Sequence, residues 1–433
     1  MFSALLLVTA LAGAITWRAA SRRDQDYRAR MAQGDDALAV EQTLGAIEAY
    51  SGAIALRPDT MLAHLRRGET YQRRGDLEAA ARDFQTAATL DPSATRPLEE
   101  LGDARYAQQR FSRAAEMYEQ YLRLDDRSAR VGFKLAQARY RDGNVNGALT
   151  ALEATLRNDE HMSTAHYLRG VCLREERRLH EAQRALDQAI GLAPGFIAAR
   201  EELADVHRLL GHHRDELEQL QVLAALDRDR IERHLAVGLA HARWSADPQE
   251  TPARRASHAD LAVLTLESAL ERAPDQPLIY TALGGVWLDI AEARGDRVAF
   301  NKALEALERV GSRSAASSES LTLYGRALLQ TDRAGEAERT LQRATEGYPI
   351  DPAAFLFYAT AAERQNHADA ARDALIRYGA VVSDDDGFAD RAARIAALSL
   401  KLNDRATAAA WVQRGLGRDP AHAALVALQR RLK

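Results

Sequence analysis

The sequence holds one cysteine, Cys172, in 433 residues. No disulfide can form within the chain and no cysteine-based metal site can be built. Proline is scarce, with 11 residues, roughly half of the usual share of about 5%. A basic excess is also missing: 58 Lys and Arg face 62 Asp and Glu, for a net charge of −4. That balance argues against a nucleic-acid partner, which calls for a basic patch or stripe. There is no Gly-rich phosphate loop, no nucleophile elbow and no HExxH-type metal motif. No catalytic residue, cofactor, metal ligand or small-molecule substrate is therefore expected, and the chain reads as a non-enzyme. The 46% apolar and 28% charged residues make an ordinary globular mix and exclude wholesale disorder.

Charge is locally absent at the N-terminus. Residues 2–17 (FSALLLVTALAGAITW) carry none, and Arg18, Arg22 and Arg23 follow. Such a run gives roughly 24 Å of helix, a little short of a hydrocarbon core of about 30 Å. Trp17 and Arg18 at the interface would extend it. One reading is a single-pass transmembrane helix, a membrane anchor that the positive-inside rule would orient with the rest of the chain in the cytoplasm. A second is a secretory signal peptide with Ala12-Gly13-Ala14 as cleavage site, and export to the periplasm. A third is a buried helix.

What is abundant is repetition. Small residues recur at Gly34, Gly68, Gly102, Ala136, Gly170, Ala204 and Gly238, each 34 residues after the last. With Tyr27 as position 1, this is position 8 of a repeat, and it continues as Gly284, Gly325, Ala359 and Ala396. Position 20 is alanine in ten of eleven repeats, from Ala46 to Ala408, with Glu216 the exception. Position 24 is large and apolar throughout, as in Tyr50, Phe84, Tyr118 and Leu152. Position 32 holds six prolines: Pro58, Pro92, Pro194, Pro274, Pro349 and Pro420. Small residues at positions 8 and 20 suit two helices in close contact, with position 24 filling the space between them. Proline at position 32 ends the second helix, since it lacks an N–H and disfavours helix at the residue before it.

This pattern resembles the tetratricopeptide repeat family, whose period is 34. The resemblance covers residues 27–422 as eleven repeats, after an N-terminal segment at 1–26 and before a capping helix at 423–433. It implies an all-α, right-handed superhelical solenoid of about eleven helix-turn-helix repeats. It also implies a concave groove lined by the first helices, used for binding proteins or peptides. Positions 2, 5, 9, 12 and 13 of each first helix face that groove in the family. Here they bring aromatic and cationic residues together in repeats 2 to 6: Arg73, Arg96, Tyr106, Arg130, Phe133, Tyr140, Arg141, Tyr167, Arg174 and Arg208. Tyr and Arg are enriched at binding hot spots. A peptide across the aromatics would have its acidic groups met by Arg130, Arg141 and Arg174. The alternative is that the rings pad neighbouring helices and the arginines are solvated. A carboxylate clamp for chaperone tails would need Lys and Asn at positions 5 and 9, where Leu65, Glu69, Glu99, Asp103, Phe133 and Gln137 stand.

The irregular repeats qualify this pattern. Insertions fall near 245–258, 291–299 and 386–388. The first, polar and carrying Pro248 and Pro252, reads as an exposed loop. The second suits longer helices, and Asp384-Asp385-Asp386-Gly387 marks a turn without the ligand spacing of a calcium loop. In repeat 6, Glu216 takes the alanine slot, and a buried carboxylate needs a partner. His207 is the expected one. The expected role is a scaffold or adaptor that binds protein or peptide partners in a membrane-associated complex. The alternative is an accessory protein of an envelope polysaccharide or secretion system, with a carrier or glycan-binding role. A purely structural spacer is a third possibility.

Overall fold

The computed structural model describes the backbone of residues 2–382 and 387–432, and side chains from Trp17 onward within those limits. The described residues form 23 α-helices and no strand, an all-helical repeat architecture as the period implied. They divide into two compact units, Met1–His212 and His213–Lys433. The division falls inside repeat 6, the one that breaks the alanine rule.

Unit 1 is a series of antiparallel helix pairs. These are α1 (Phe2–Ala39) with α2 (Thr43–Leu56), α3 (Met61–Arg73) with α4 (Leu77–Leu90), and α5 (Thr95–Ala107) with α6 (Phe111–Leu124). Then come α7 (Ala129–Arg141) with α8 (Val145–Asn158), α9 (Ser163–Glu175) with α10 (Leu179–Leu192), and α11 (Ile197–Leu210). Helix α1 continues unbroken through residue 26, so the apolar segment and the first helix of repeat 1 are one element. Among the described residues, no helix is long and apolar enough to cross a membrane. The side chains of the apolar run, apart from Trp17, lie outside those described.

The contact that fixes each pair differs in one respect from the expectation. The small residue at position 8 opens space chiefly for the side chain at position 24. A Cβ on Gly68 would fall 2.6 Å from the Phe84 ring, one on Gly102 2.5 Å from Tyr118, and one on Gly170 2.6 Å from Leu186. Those three large side chains are buried, as is every alanine from Ala46 to Ala182 at position 20. Position 8 is thus a socket, position 24 the knob, and position 20 the flat place beside it. Between the two helices, position 15 takes a left-handed conformation. Glycine supplies it at Gly75 and Gly143, whereas Gln109 and Arg177 adopt φ values of 60° and 59°.

Unit 2 opens with α12 (His213–Leu226). It continues with α13 (Ile231–Ala246) and α14 (Pro252–Arg272), α15 (Pro277–Arg294) and α16 (Arg297–Gly311), and α17 (Ser318–Gln330) and α18 (Ala334–Ala344). The last are α19 (Ala353–Arg364) and α20 (Ala368–Val381), α21 (Phe388–Lys401) and α22 (Arg405–Arg418), and α23 (Ala423–Leu432). The turn expected at 384–386 lies outside the described residues.

The insertion near 245–258, expected as an exposed loop, is mostly helix. Helix α14 starts at Pro252, where proline is favoured, and the Thr251 hydroxyl accepts the Arg254 N–H at 3.4 Å. The short connection is tied down: Trp244 Nε1 donates to Glu250 Oε1 at 3.1 Å, and His213 Nε2 lies 3.1 Å from Asp247 Oδ2. The Trp244 and His258 rings stack with centroids 3.8 Å apart, and His258 Nδ1 meets His241 Nδ1 at 2.9 Å. Burial lowers the basicity of both histidines, His241 to about 4. Glu216 is buried in its alanine slot, and Arg243 of α13 forms an ion pair with it. This ion-pair partner comes from the next repeat.

Candidate partner-binding face

The residues expected to line the groove sit on the first helices of unit 1, from α3 to α11. The four aromatics are half-buried. Tyr106, Phe133, Tyr140 and Tyr167 pack against the apolar core of the unit. Tyr106 meets Phe111 edge-on, with centroids 5.2 Å apart at 67°, and Tyr167 tilts against Phe196 at 5.0 Å. Each ring keeps part of its surface at the face while its body supports the helices behind it.

The cations are more committed than the sequence suggested. Arg96 Nη2 lies 2.5 Å from Glu69 Oε1, joining α5 to α3. Arg130 grips Glu99 with both guanidinium nitrogens, joining α7 to α5. Lys134 reaches Glu99 Oε1 and Asp103 Oδ2, each at 2.6 Å. The Tyr140 hydroxyl donates to Glu175 Oε1 at 2.6 Å, joining α7 to α9. Arg174 Nε lies 2.7 Å from Glu202 Oε2, joining α9 to α11. Arg208 pairs within α11 with Asp205 at 3.1 Å. Arg73 and Arg141 are exposed and have no ion-pair partner among the described residues. The face is thus a ladder of alternating charge whose rungs cross from one first helix to the next.

Burial shapes the ladder's chemistry. The Glu100 carboxyl is pushed up by burial, with Glu69 and Asp103 adding to it. Burial likewise raises Glu202, against the pull of Arg174. The Tyr140 phenol is held protonated by burial and by the Glu175 carboxylate that accepts its hydrogen bond. Cys172 is buried beneath this face and its thiol is pushed up to about 12, mainly by burial, so it is inert as a nucleophile.

The sequence brought together the aromatic and arginine positions but missed Lys134 and the carboxylates that hold the cations. Their signal was present as opposite charges about one repeat apart: 27 residues for Glu69 and Arg96, 31 for Glu99 and Arg130. Of the expected anion-binding trio, Arg130 and Arg174 are already engaged and Arg141 is open.

The family profile of the tetratricopeptide repeat matches residues 17–95, 99–145, 133–195 and 322–381, which together take in more than half of the chain. A Small glutamine-rich tetratricopeptide repeat-containing protein 2 from Mycosarcoma maydis is 29% identical over 94 residues, 22% of this chain and 27% of that protein. Its namesake from Saccharomyces cerevisiae is 29% identical over 102 residues, 24% of this chain and 30% of the other. The chain thus spans under a third of the length of these relatives. A solved tetratricopeptide repeat protein from Parabacteroides merdae is 14% identical, with a TM-score of 0.42, covering 60% of this chain and 99% of that one.

Proposed function

The chain belongs to the tetratricopeptide repeat family, and on that premise we propose that it is a non-enzymatic interaction scaffold that binds a partner polypeptide along the first helices of unit 1. The observation that carries this reading is the set of four half-buried rings, Tyr106, Phe133, Tyr140 and Tyr167, on three consecutive first helices. They lie beside paired charges that a partner can exchange for its own. Rigid aromatic anchors beside charged groups are the residue types on which binding energy concentrates. The ladder favours a partner of mixed charge over a uniformly acidic one, because most of the face's cations already have carboxylates. Membrane association would come through the apolar run at residues 2–17, with the repeats on the cytoplasmic side.

Crosslinking in intact host cells, followed by mass spectrometry, tests the binding face. A photoreactive residue at position 137, between Phe133 and Tyr140, should capture a defined partner. Tyr140→Ala with Tyr167→Ala should abolish that capture, with circular dichroism showing that the double variant keeps its helical fold at the temperature of the experiment. Capture that persists in the double variant overturns the assignment. A topology reporter fused at the C-terminus, active only outside the cytoplasm, would reverse the proposed orientation.

A further inference from the structure

Repeats 7 and 8 carry the two largest insertions, and their helices are long. Helices α13, α14 and α15 have 16, 21 and 18 residues, against 13 in α3 and 14 in α4. The added turns stand around a cavity of about 270 Å³ lined by Ser245, Pro252, Arg255, Ala256, Ile290 and Arg294, with Asp289 on one wall. Repeats of ordinary length have no residues to build these walls.

We propose that this cavity binds a monovalent carboxylate on a short apolar stem, with Arg255 as the group that meets it. Arg255 is half-buried, and its Nε is out of solvent with no hydrogen-bond partner among the described residues. A guanidinium offers five N–H donors in a planar fork, and a carboxylate is the shape that fork matches. Leaving such a donor desolvated and unmatched is unfavourable, so a ligand that satisfies it gains twice. Arg294 adds a second cation, held 3.3 Å from the exposed Asp260. Pro252, Ala256 and Ile290 offer an apolar wall for the stem.

Charge and size narrow the class. Asp289 is engaged by Arg326 at 3.1 Å, which opposes the upward push of burial on its carboxyl. Its carboxylate disfavours a dianion such as hydrogen phosphate about twice as strongly as a monoanion at the Arg255 end, because the repulsion grows with charge. The volume falls below the range of about 300–1,000 Å³ of drug-sized pockets, and suits one amino-acid residue. The carboxylate can come from a glutamate side chain or from the C-terminal residue of a peptide. This site lies wholly within unit 2 and does not depend on the face proposed in unit 1.

Ligand-observed NMR on the full chain tests it, with N-acetylglutamate α-amide, N-acetyl-leucine and inorganic phosphate as probes. At least one carboxylate probe should bind with a dissociation constant on the order of 1 mM, as expected for so small a ligand. Tighter binding of the first would identify a side-chain carboxylate, and of the second a chain terminus. Arg255→Gln should weaken binding about tenfold or more, in line with loss of a charge-assisted bidentate contact. Ala256→Phe, which fills the cavity and retains Arg255, should abolish it. Neither carboxylate binding at about 20 mM, well above that constant, would overturn the proposal. So would phosphate binding more tightly than both, or Arg255→Gln and Ala256→Phe each leaving affinity unchanged.

Discussion

Arg177 shows how one backbone angle is tolerated because its neighbours demand it. It sits at the turn between α9 and α10 with φ at 59°, in the region where Gly75 and Gly143 occupy the same place in other repeats. The side chain is exposed and contributes no described contact. Its backbone N–H still donates to Arg174 O at 3.0 Å, closing α9. A residue with a Cβ is strained there, while glycine is not. Arg177→Gly should therefore raise stability by about 0.5–1 kcal/mol, the usual scale for such a position after the entropy of the unfolded glycine is set against it. Denaturant unfolding of the two proteins, compared at equal m-value, checks it; a fall in the midpoint would show that the turn is not strained. Position 8 was legible in the sequence for a similar local reason. A socket that admits only hydrogen or methyl leaves the same mark each time. Its partner was less legible, because the period alone does not say which of positions 20 and 24 projects into it.

At the scale of an element, the α13–α14 hairpin is held by a stack of rings, and that makes it sensitive to acid. His241 faces His258 through their Nδ1 atoms, Trp244 covers His258, and Glu250, Arg254 and His213 are the charged or titratable neighbours. Two neutral imidazoles can share one proton across 2.9 Å, but a second proton leaves two donors facing each other. The folded state holds His241 neutral down to about 4, whereas the unfolded chain takes up a proton near 6.5. Stability is therefore complete above about 6.5 and declines as pH falls toward about 4, by on the order of 2–3 kcal/mol for the full shift. His241→Leu should flatten that dependence in melting curves taken between about pH 7 and about pH 5. An unchanged slope would place the acid sensitivity elsewhere. The insertion within this hairpin was misread as a loop because its composition is polar and proline-bearing. The signal for a helix start was present in Thr251-Pro252, a capping residue followed by proline at the first helical position. The ladder of unit 1 was hidden for another reason. Its rungs join residues that become neighbours only once consecutive first helices lie side by side, and amphipathic patterning within one helix does not report that.

For the whole molecule, stability is built from neighbours. Each helix pair rests mainly on the pairs before and after it, so a defect should remain local. Gly68→Val places two methyl groups against the Phe84 ring, and overpacking of this kind costs about 1–3 kcal/mol. Hydrogen exchange should show amides of α3 to α6 losing protection while those of α15 to α22 keep theirs. Uniform loss across both units would mean that the chain opens as a single cooperative body. The division inside repeat 6 coincides with Glu216, where the alanine that every other repeat uses is absent. The sequence marked that repeat as irregular. The ion pair with Arg243 was not legible there, since it depends on which helix comes to cover the slot.

The buried thiol of Cys172 has a consequence for where such a chain can work. It is the sole thiol in the sequence, it is buried on the inner side of α9, and it stays protonated at any physiological pH. Oxidants and thiol-exchange partners have no handle on it. No disulfide therefore couples the array to redox poise, and in that respect the same fold stands in a reducing or an oxidising compartment.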